Sequence, residues 1–154
     1  RSRQWAIRCM HEASLYKDNC FITLTISNDG FKKLSSKEER GYDNPHTLDV
    51  RDFQRFMKRL RWKFGDAIRF YHCGEYGDKT MRPHYHACLF NFDFPDKKLW
   101  SIKNGHRLYT SASLEKLWPY GFSTIGEVTF ESAAYVARYI MKKQNGKDKE
   151  ESAH

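Results

Sequence analysis

The chain has 154 residues, of which 40% are hydrophobic and 16% aromatic. This is enough for one buried core and too little for two ordinary domains. A formal net charge of +8 predicts a surface that attracts polyanions, with nucleic acid as the leading partner. No apolar run is long enough for a bilayer span, and the first residues lack the apolar segment of a signal peptide. Because residue 1 is Arg rather than Met, we expect a single domain, residues 1–154, excised from a longer protein.

The N-terminal part of the chain predicts a helix, a strand and a loop. Residues 4–13 show a weak helical pattern, and we favour packing on the domain over DNA contact for it. Residues 20–26 alternate apolar and hydroxyl side chains, which is typical of a strand with one solvated or functional face. Residues 27–46 are polar and contain Gly30, Gly41 and Pro45, so we expect a loop over the DNA side.

The clearest helix is predicted over residues 48–64. Its apolar residues recur at helical spacing, Asp49 and Asp52 occupy the first turn, and Gly65 ends it. The opposite face is basic, and a solvated face and a phosphate-binding face explain it equally well. The candidate DNA-binding residues of this helix are Arg51, Arg55, Lys58 and Arg59.

Residues 68–75 and 84–91 predict an antiparallel hairpin. A turn centred near Lys79 and Thr80 would place Glu75 opposite His84. His84 and His86 flank a single residue, so on a strand both side chains point to the same face. We therefore expect Glu75, His84 and His86 to converge.

Two imidazoles and a carboxylate can hold a divalent metal, Mg²⁺ or Mn²⁺, and leave positions open for water and phosphate. The alternative is a pair of hydrogen-bonded surface histidines, which is the usual role of such a pair. Cys88 lies on the same predicted strand face, but we do not favour it as a ligand, because consecutive same-face residues rarely converge on one ion. All four cysteines are expected to be free thiols, since none forms a Cys-x-x-Cys pair.

The C-terminal half predicts a polar excursion from residue 91 through Gly105, a short helix over residues 113–118 with Ser113 as N-cap, and a strand over residues 121–128. A longer helix follows over residues 131–144 and is expected to end at Asn145 and Gly146. The charged residues 147–154 are expected to be disordered.

This last helix carries two stripes. Ala133, Val136, Ala137 and Ile140 form a small apolar face for packing on a sheet. Tyr135, Tyr139 and Lys142 form the other stripe.

Paired tyrosines are more often an ordinary packing stripe, but their combination with a metal hairpin favours catalysis. A tyrosine has a pKa of about 10, so it needs a nearby cation to act as a nucleophile at neutral pH. These residues indicate DNA cleavage through a covalent phosphotyrosine, with Arg138 and Lys143 as further candidate DNA-binding residues.

Three segments of the chain resemble the HUH endonucleases, and in particular the replication initiators of microviruses, with the gokushovirus branch most similar. The segments are residues 21–25, residues 71–77 with 82–90, and residues 134–140. The family has a bulky apolar residue between its two histidines, which Tyr85 matches in part. Tyr139 and Lys142 also match the Tyr-x-x-Lys motif of related single-tyrosine initiators.

The resemblance implies an α+β fold with a central antiparallel sheet of about five strands flanked by helices, similar to an RNA-recognition-type sandwich. It implies rolling-circle initiation, in which one tyrosine nicks single-stranded origin DNA through a 5′-phosphotyrosine and the second acts after one circuit. The implied partners are host helicase and replication machinery in the cytoplasm of an infected or prophage-bearing bacterium, without a membrane or small-molecule cofactor. Two alternatives remain: a non-catalytic single-stranded nucleic-acid-binding module and a related HUH transposase.

Overall fold

The computed structural model describes the backbone of residues 1–35, 48–77 and 82–151, with side chains up to residue 140 except residue 35. Most of the predicted loop and the predicted turn at Lys79 and Thr80 lie outside these residues. The helices are α1 (Ser2–Ser14), α2 (Asn28–Ser35), α3 (Val50–Phe64), α4 (Ala112–Leu117) and α5 (Phe130–Glu151). The strands are β1 (Asn19–Thr25), β2 (Arg69–Tyr76), β3 (Pro83–Phe90), β4 (Lys98–Lys103), β5 (His106–Thr110) and β6 (Ser123–Gly126).

The strands form one antiparallel sheet in the order β2-β3-β1-β6-β5-β4. This confirms the predicted α+β class, with six strands where about five were expected. The additional hairpin, β4 and β5, replaces part of the polar excursion. Its turn is Asn104-Gly105, both with positive φ (51° and 78°), and Asn-Gly is the dipeptide that two-residue hairpin turns favour. The sequence therefore contained a signal for this hairpin that its polar strands obscured.

Helices cover both faces of the sheet, because side chains alternate between faces along each strand. On one face, α3 and α4 pack against the sheet through Phe56, Leu60 and Leu114, which join Ile22 and Leu24 of β1. On the other face, α1 and α5 pack on β2 and β3 in a second, smaller core. None of the helices in the described ranges is long and apolar enough to cross a membrane.

The predicted loop begins instead with α2. Phe31 and Leu34 are buried in the core, and the Ser27 hydroxyl accepts a hydrogen bond from the Gly30 amide at 3.0 Å. A Cβ atom at Gly30 would collide with the Tyr120 backbone, so glycine here permits a close approach of the helix. The sequence prediction was wrong for this segment because it read Gly30 as a loop residue.

Two helix ends also differ from prediction. Ser111, not Ser113, caps α4, since its hydroxyl accepts from the Leu114 amide at 3.1 Å while Ser113 donates to Asp96. Helix α5 continues through Asn145 and Gly146 to Glu151, so residues 147–151 are helical and not disordered. A single glycine inside a helix costs only about 1 kcal/mol, which the following charged helix formers offset.

Candidate active site

Glu75, His84 and His86 meet on the sheet face covered by α1 and α5. Glu75 pairs with His84 across β2 and β3, as the predicted hairpin required, and His86 pairs with Cys73. The His86 Nε2 atom lies 2.7 Å from Glu75 Oε1, and the rings of the two histidines are 6.5 Å apart. One ligand atom from each of the three residues lies within 4.8 Å of the others.

This donor set fits a divalent metal. Two donors that bind one ion at 2.0–2.2 Å lie at most about 4.4 Å apart, so the observed spacing needs side-chain shifts of only a few tenths of an ångström. Two imidazoles with one carboxylate suit Mn²⁺ and related ions better than Mg²⁺, which prefers oxygen ligands. Three protein ligands also leave coordination positions for substrate oxygens.

Thr23 and Phe21 hold His86 in place. The Thr23 hydroxyl lies 3.0 Å from His86 Nδ1, which leaves Nε2 directed at Glu75, and the Phe21 ring stacks on the imidazole at 5.8 Å. A hydrogen bond to the far nitrogen fixes the orientation of a metal-binding histidine. Sequence reasoning did not assign these residues, although the apolar and hydroxyl alternation of β1 had marked one face as functional.

The paired tyrosines of α5 face the same carboxylate. The Tyr135 hydroxyl donates to Glu75 Oε1 at 2.5 Å, and Tyr139 also hydrogen-bonds Glu75. The two tyrosine rings lie 5.0 Å apart, and Tyr135 is edge-on to His86 at 4.9 Å. The structure therefore brings the predicted nucleophiles and the predicted metal ligands into one site.

The apolar stripe of α5 produces this placement. Ala133, Val136 and Ala137 are fully buried, and the helix contacts α1, β2 and β3. Small side chains allow the helix axis to lie close to the sheet. The tyrosine stripe consequently points along the sheet surface to Glu75.

The ionisation of the site follows from burial and hydrogen bonding. Burial alone would raise the pKa of Glu75, but hydrogen bonds from Tyr135, Tyr139 and His86 outweigh it and lower the pKa below its ordinary value. Burial lowers the pKa of His86, against the opposing influence of Glu75. Burial and the hydrogen bond to Glu75 raise the pKa of Tyr135. At neutral pH the site thus contains an ionised Glu75, a neutral His86 and a protonated Tyr135.

The predicted DNA-binding residues of α3 lie on the opposite face of the sheet from this site. Two of them have local partners, because Arg51 forms an ion pair with Asp49 at 2.7 Å and Arg59 donates twice to the Leu117 carbonyl. Arg55 lies 3.8 Å from Asp52. Lys58 lines a cleft on that same side.

The remaining predicted site residues belong to α5. Arg138 is exposed on the helix that carries the tyrosines. Lys142 and Lys143 continue the same helix, but their side chains lie outside the described residues.

Cys88 is buried and hydrogen-bonds Cys9 rather than joining the ligand cluster. All four cysteines are free and buried, as predicted. His72 stacks on Phe53 at 4.2 Å on the α3 side of the sheet, in agreement with a structural role.

Comparison with known proteins identifies relatives over nearly the whole chain. The family model for replication-associated proteins of the ORF2 type matches residues 19–144. Replication-associated protein VP4 of Bdellovibrio phage phiMH2K is 37% identical, over 99% of this chain and 48% of the relative. Replication-associated protein ORF2 of Spiroplasma virus 4 is 36% identical, over 96% of this chain and 46% of the relative.

A third relative, replication-associated protein ORF4 of Chlamydia phage 1, is 30% identical over 93% of this chain and 35% of its own length. The chain thus spans at most about half the length of these relatives. No solved structure matches it. The resemblance to microvirus replication initiators is confirmed, and the chain belongs to the ORF2-type family of replication-associated proteins.

Proposed function

We propose that this domain nicks and joins single-stranded DNA at a phage replication origin through a 5′-phosphotyrosine. The observation that supports this most directly is the chain of contacts from Tyr135 to Glu75 to His86, at 2.5 Å and 2.7 Å. A nucleophile, an acceptor for its proton and a metal-binding donor set are within one site, which is the combination that covalent phosphoryl transfer needs.

In the proposed step, the Tyr135 or Tyr139 oxygen attacks the phosphorus of a DNA phosphodiester. A bond forms between the tyrosine oxygen and phosphorus, and the bond from phosphorus to the 3′ oxygen breaks. The tyrosine proton leaves through the Glu75 hydrogen bond, and the departing 3′ oxygen takes a proton to become a 3′-hydroxyl. A divalent metal, Mg²⁺ or Mn²⁺, held by Glu75, His84 and His86 would supply positive charge beside the phosphate.

The raised pKa of Tyr135 means that its proton must be lost during the reaction rather than beforehand. A cation near the phenol oxygen would stabilise the developing negative charge. We assign that role to Lys142, which follows Tyr139 by three residues on the same helix. Arg138 and Lys143 would contact DNA phosphates.

The two tyrosines explain joining as well as nicking. Both hydrogen-bond the same carboxylate, so either oxygen can occupy the position next to one bound phosphate. One tyrosine holds the first 5′ end while the other cuts the regenerated origin, and the free 3′-hydroxyl then displaces the first tyrosine. In the phage, this cycle would initiate rolling-circle replication with the host helicase and polymerase in the bacterial cytoplasm.

Adduct formation tests the proposal. Single-stranded oligonucleotides of random sequence, labelled at either the 3′ or the 5′ end, are incubated with protein and Mn²⁺ and resolved on denaturing gels. A 5′-phosphotyrosine retains only the 3′ label. Each single substitution, Tyr135→Phe or Tyr139→Phe, should keep part of the adduct because the other hydroxyl remains. The double variant should form none and should still bind DNA.

Tyr16→Phe is the matched control, because its hydroxyl lies 3.5 Å from the Glu12 carboxylate rather than against Glu75. It should form adduct at the wild-type rate. Adduct that persists in the double variant would place the nucleophile elsewhere and refute the assignment. Absence of adduct in the wild type with all metals and sequences would favour the binding-module alternative.

Metal dependence is a separate prediction. His86→Ala and His84→Ala should each reduce adduct formation by at least about 100-fold, because each removes one of three donors. EDTA should abolish wild-type activity, and Mn²⁺ should restore it at a lower concentration than Mg²⁺. Calorimetric titration with Mn²⁺ measures the loss of binding directly. Wild-type activity of His86→Ala in EDTA would contradict the metal assignment.

A further inference from the structure

Two exposed aromatic rings lie in contact near the strand edge of the sheet. Trp100 of β4 and Phe122, just before β6, are 48% and 49% exposed, and their ring centroids are 4.9 Å apart. Contiguous exposed apolar surface of this kind usually marks an interaction site. Neither ring belongs to the two buried cores.

Strand register places Phe122 on the same sheet face as the candidate active site. Thr23 pairs with Thr124, and the Thr25 amide donates to the Phe122 carbonyl at 2.9 Å, which continues that register. Thr25 in turn pairs with His84. Because paired residues share a face, His84, Thr25 and Phe122 form one row across three strands. The row from His84 to Phe122 covers two strand spacings, about 10 Å.

Trp100 reaches Phe122 because β4 is irregular at this position. Leu99 pairs with Tyr109 and Ser101 pairs with Leu108, so Trp100 is an extra residue between them. A bulge of this type redirects a side chain out of the regular alternation. The bulge therefore extends the row of the active site by one more aromatic ring.

The surroundings of the pair are basic. The Lys103 ammonium lies 5.7 Å from the Trp100 ring centroid. Residues 97–114 contain four lysines and arginines and no aspartate or glutamate. The basic residues are Lys97, Lys98, Lys103 and Arg107. This charge is complementary to a polyanion and disfavours an apolar protein partner.

We infer that Trp100 and Phe122 form a base-stacking platform for the single-stranded DNA that flanks the scissile phosphate. Exposed aromatic rings beside cations are the elements from which proteins build single-strand channels, because every base offers a face for stacking. The inference rests on the proposed function for the identity of the strand. It adds the path of that strand from the metal ligands across β1 and β6 to the β4–β5 hairpin.

Binding measurements test the platform without requiring cleavage. The affinity of the protein for a fluorescein-labelled polythymidine oligonucleotide is measured by anisotropy in EDTA. Trp100→Leu and Phe122→Leu should each weaken binding by roughly 5- to 100-fold, the range expected for loss of one stacked base. The salt dependence of binding should not change, since no charge is removed. Trp100→Phe, which keeps a ring, should retain most of the affinity.

Trp62→Leu provides a matched control. Trp62 is 91% exposed on α3, on the other side of the sheet, so its loss should leave affinity unchanged. Unfolding in urea checks that each variant is folded. Photocrosslinking with 5-iodouracil in the oligonucleotide, followed by mass spectrometry, should place the crosslink on Trp100 or Phe122.

The outcomes separate this inference from the proposed function. If Trp100→Leu and Phe122→Leu bind like the wild type and neither residue crosslinks, while the wild type still forms the tyrosine adduct, the platform is refuted and the nicking function stands. If the crosslinks and affinity losses occur but no adduct ever forms, the platform stands and the nicking chemistry is refuted.

Discussion

Glu75 is the residue on which the candidate site depends. Its carboxylate lies 2.7 Å from His86 and accepts hydrogen bonds from both Tyr135 and Tyr139. The hydrogen bonds offset the cost of burying its charge. Without Glu75, the metal site would lose a ligand, and the tyrosines would lose the acceptor that holds them above the sheet.

Asp96 shows a residue whose charge stabilises the fold rather than the site. It accepts hydrogen bonds from the Ser111 hydroxyl and from the amide and hydroxyl of Ser113. Burial would raise its pKa, but these bonds outweigh it and lower the pKa from 3.8 to about 2. A carboxylate with a lowered folded-state pKa stabilises the protein above its unfolded-state pKa and loses that contribution as the pH falls.

We predict that Asp96→Asn lowers the free energy of unfolding at pH 7 by about 1–2 kcal/mol, the size of a lost helix cap with a charged acceptor. The difference between the variant and the wild type should begin to shrink below pH 3.8 and disappear near pH 2, where Asp96 is protonated in both states. Urea unfolding at several pH values measures it. A difference that is constant from pH 7 to about pH 2.5 would contradict the assigned charge effect.

At the scale of elements, the packing of α5 couples stability to the site. Ala133, Val136 and Ala137 are fully buried against the sheet and α1. The small residues set the height of the helix above β2 and β3, and this height sets the reach of the tyrosines to Glu75. Catalytic groups displaced by about 1 Å can lose on the order of 100-fold in rate.

We predict that Ala137→Leu destabilises the domain by about 1–3 kcal/mol, because extra methylenes do not fit a close-packed contact. It should also reduce adduct formation at least about tenfold in conditions where the variant is fully folded, since α5 is pushed away from the sheet. Urea unfolding and adduct rates provide the two readouts. Ala112→Leu on the exposed surface of α4 is the control and should change neither. A wild-type adduct rate in folded Ala137→Leu would show that the helix height is not critical.

For the whole molecule, the two faces of the sheet have different roles. The site, Arg138 and the β4–β5 hairpin lie on one side, and the basic helix α3 lies on the other. A net charge of +8 attracts DNA to the whole surface, but only charges along the strand's path release counterions upon specific binding.

We predict that replacing Lys103 and Arg138 together by glutamine reduces the slope of log affinity against log salt by roughly 1.4, because each phosphate contact contributes about 0.7 for single strands. The matched pair Arg55→Gln with Lys58→Gln removes the same charge from α3 and should change the slope much less. Anisotropy titrations over a range of salt concentrations measure both. The reverse order would assign the DNA path to α3, as one reading of the sequence proposed.

The local periodicity of the sequence was sufficient to predict the parts of the site. Strand alternation placed His84 and His86 on one face, the hairpin register placed Glu75 opposite His84, and helical spacing placed Tyr135 above Tyr139. These relations depend only on residues close together in the chain, whose geometry is fixed by strand and helix repeats. The family motifs were recognisable for the same reason.

Only the tertiary structure decided which helix covers which face of the sheet. Nothing local to α3 or α5 distinguishes a basic helix behind the sheet from a tyrosine helix in front of it, because that choice depends on packing between residues far apart in sequence. The same holds for Thr23 against His86 and for Trp100 against Phe122, which are joined by strand order and a bulge. The sequence by itself determined the chemical groups of the site, and long-range packing determined their common location and the direction from which a DNA strand can reach them.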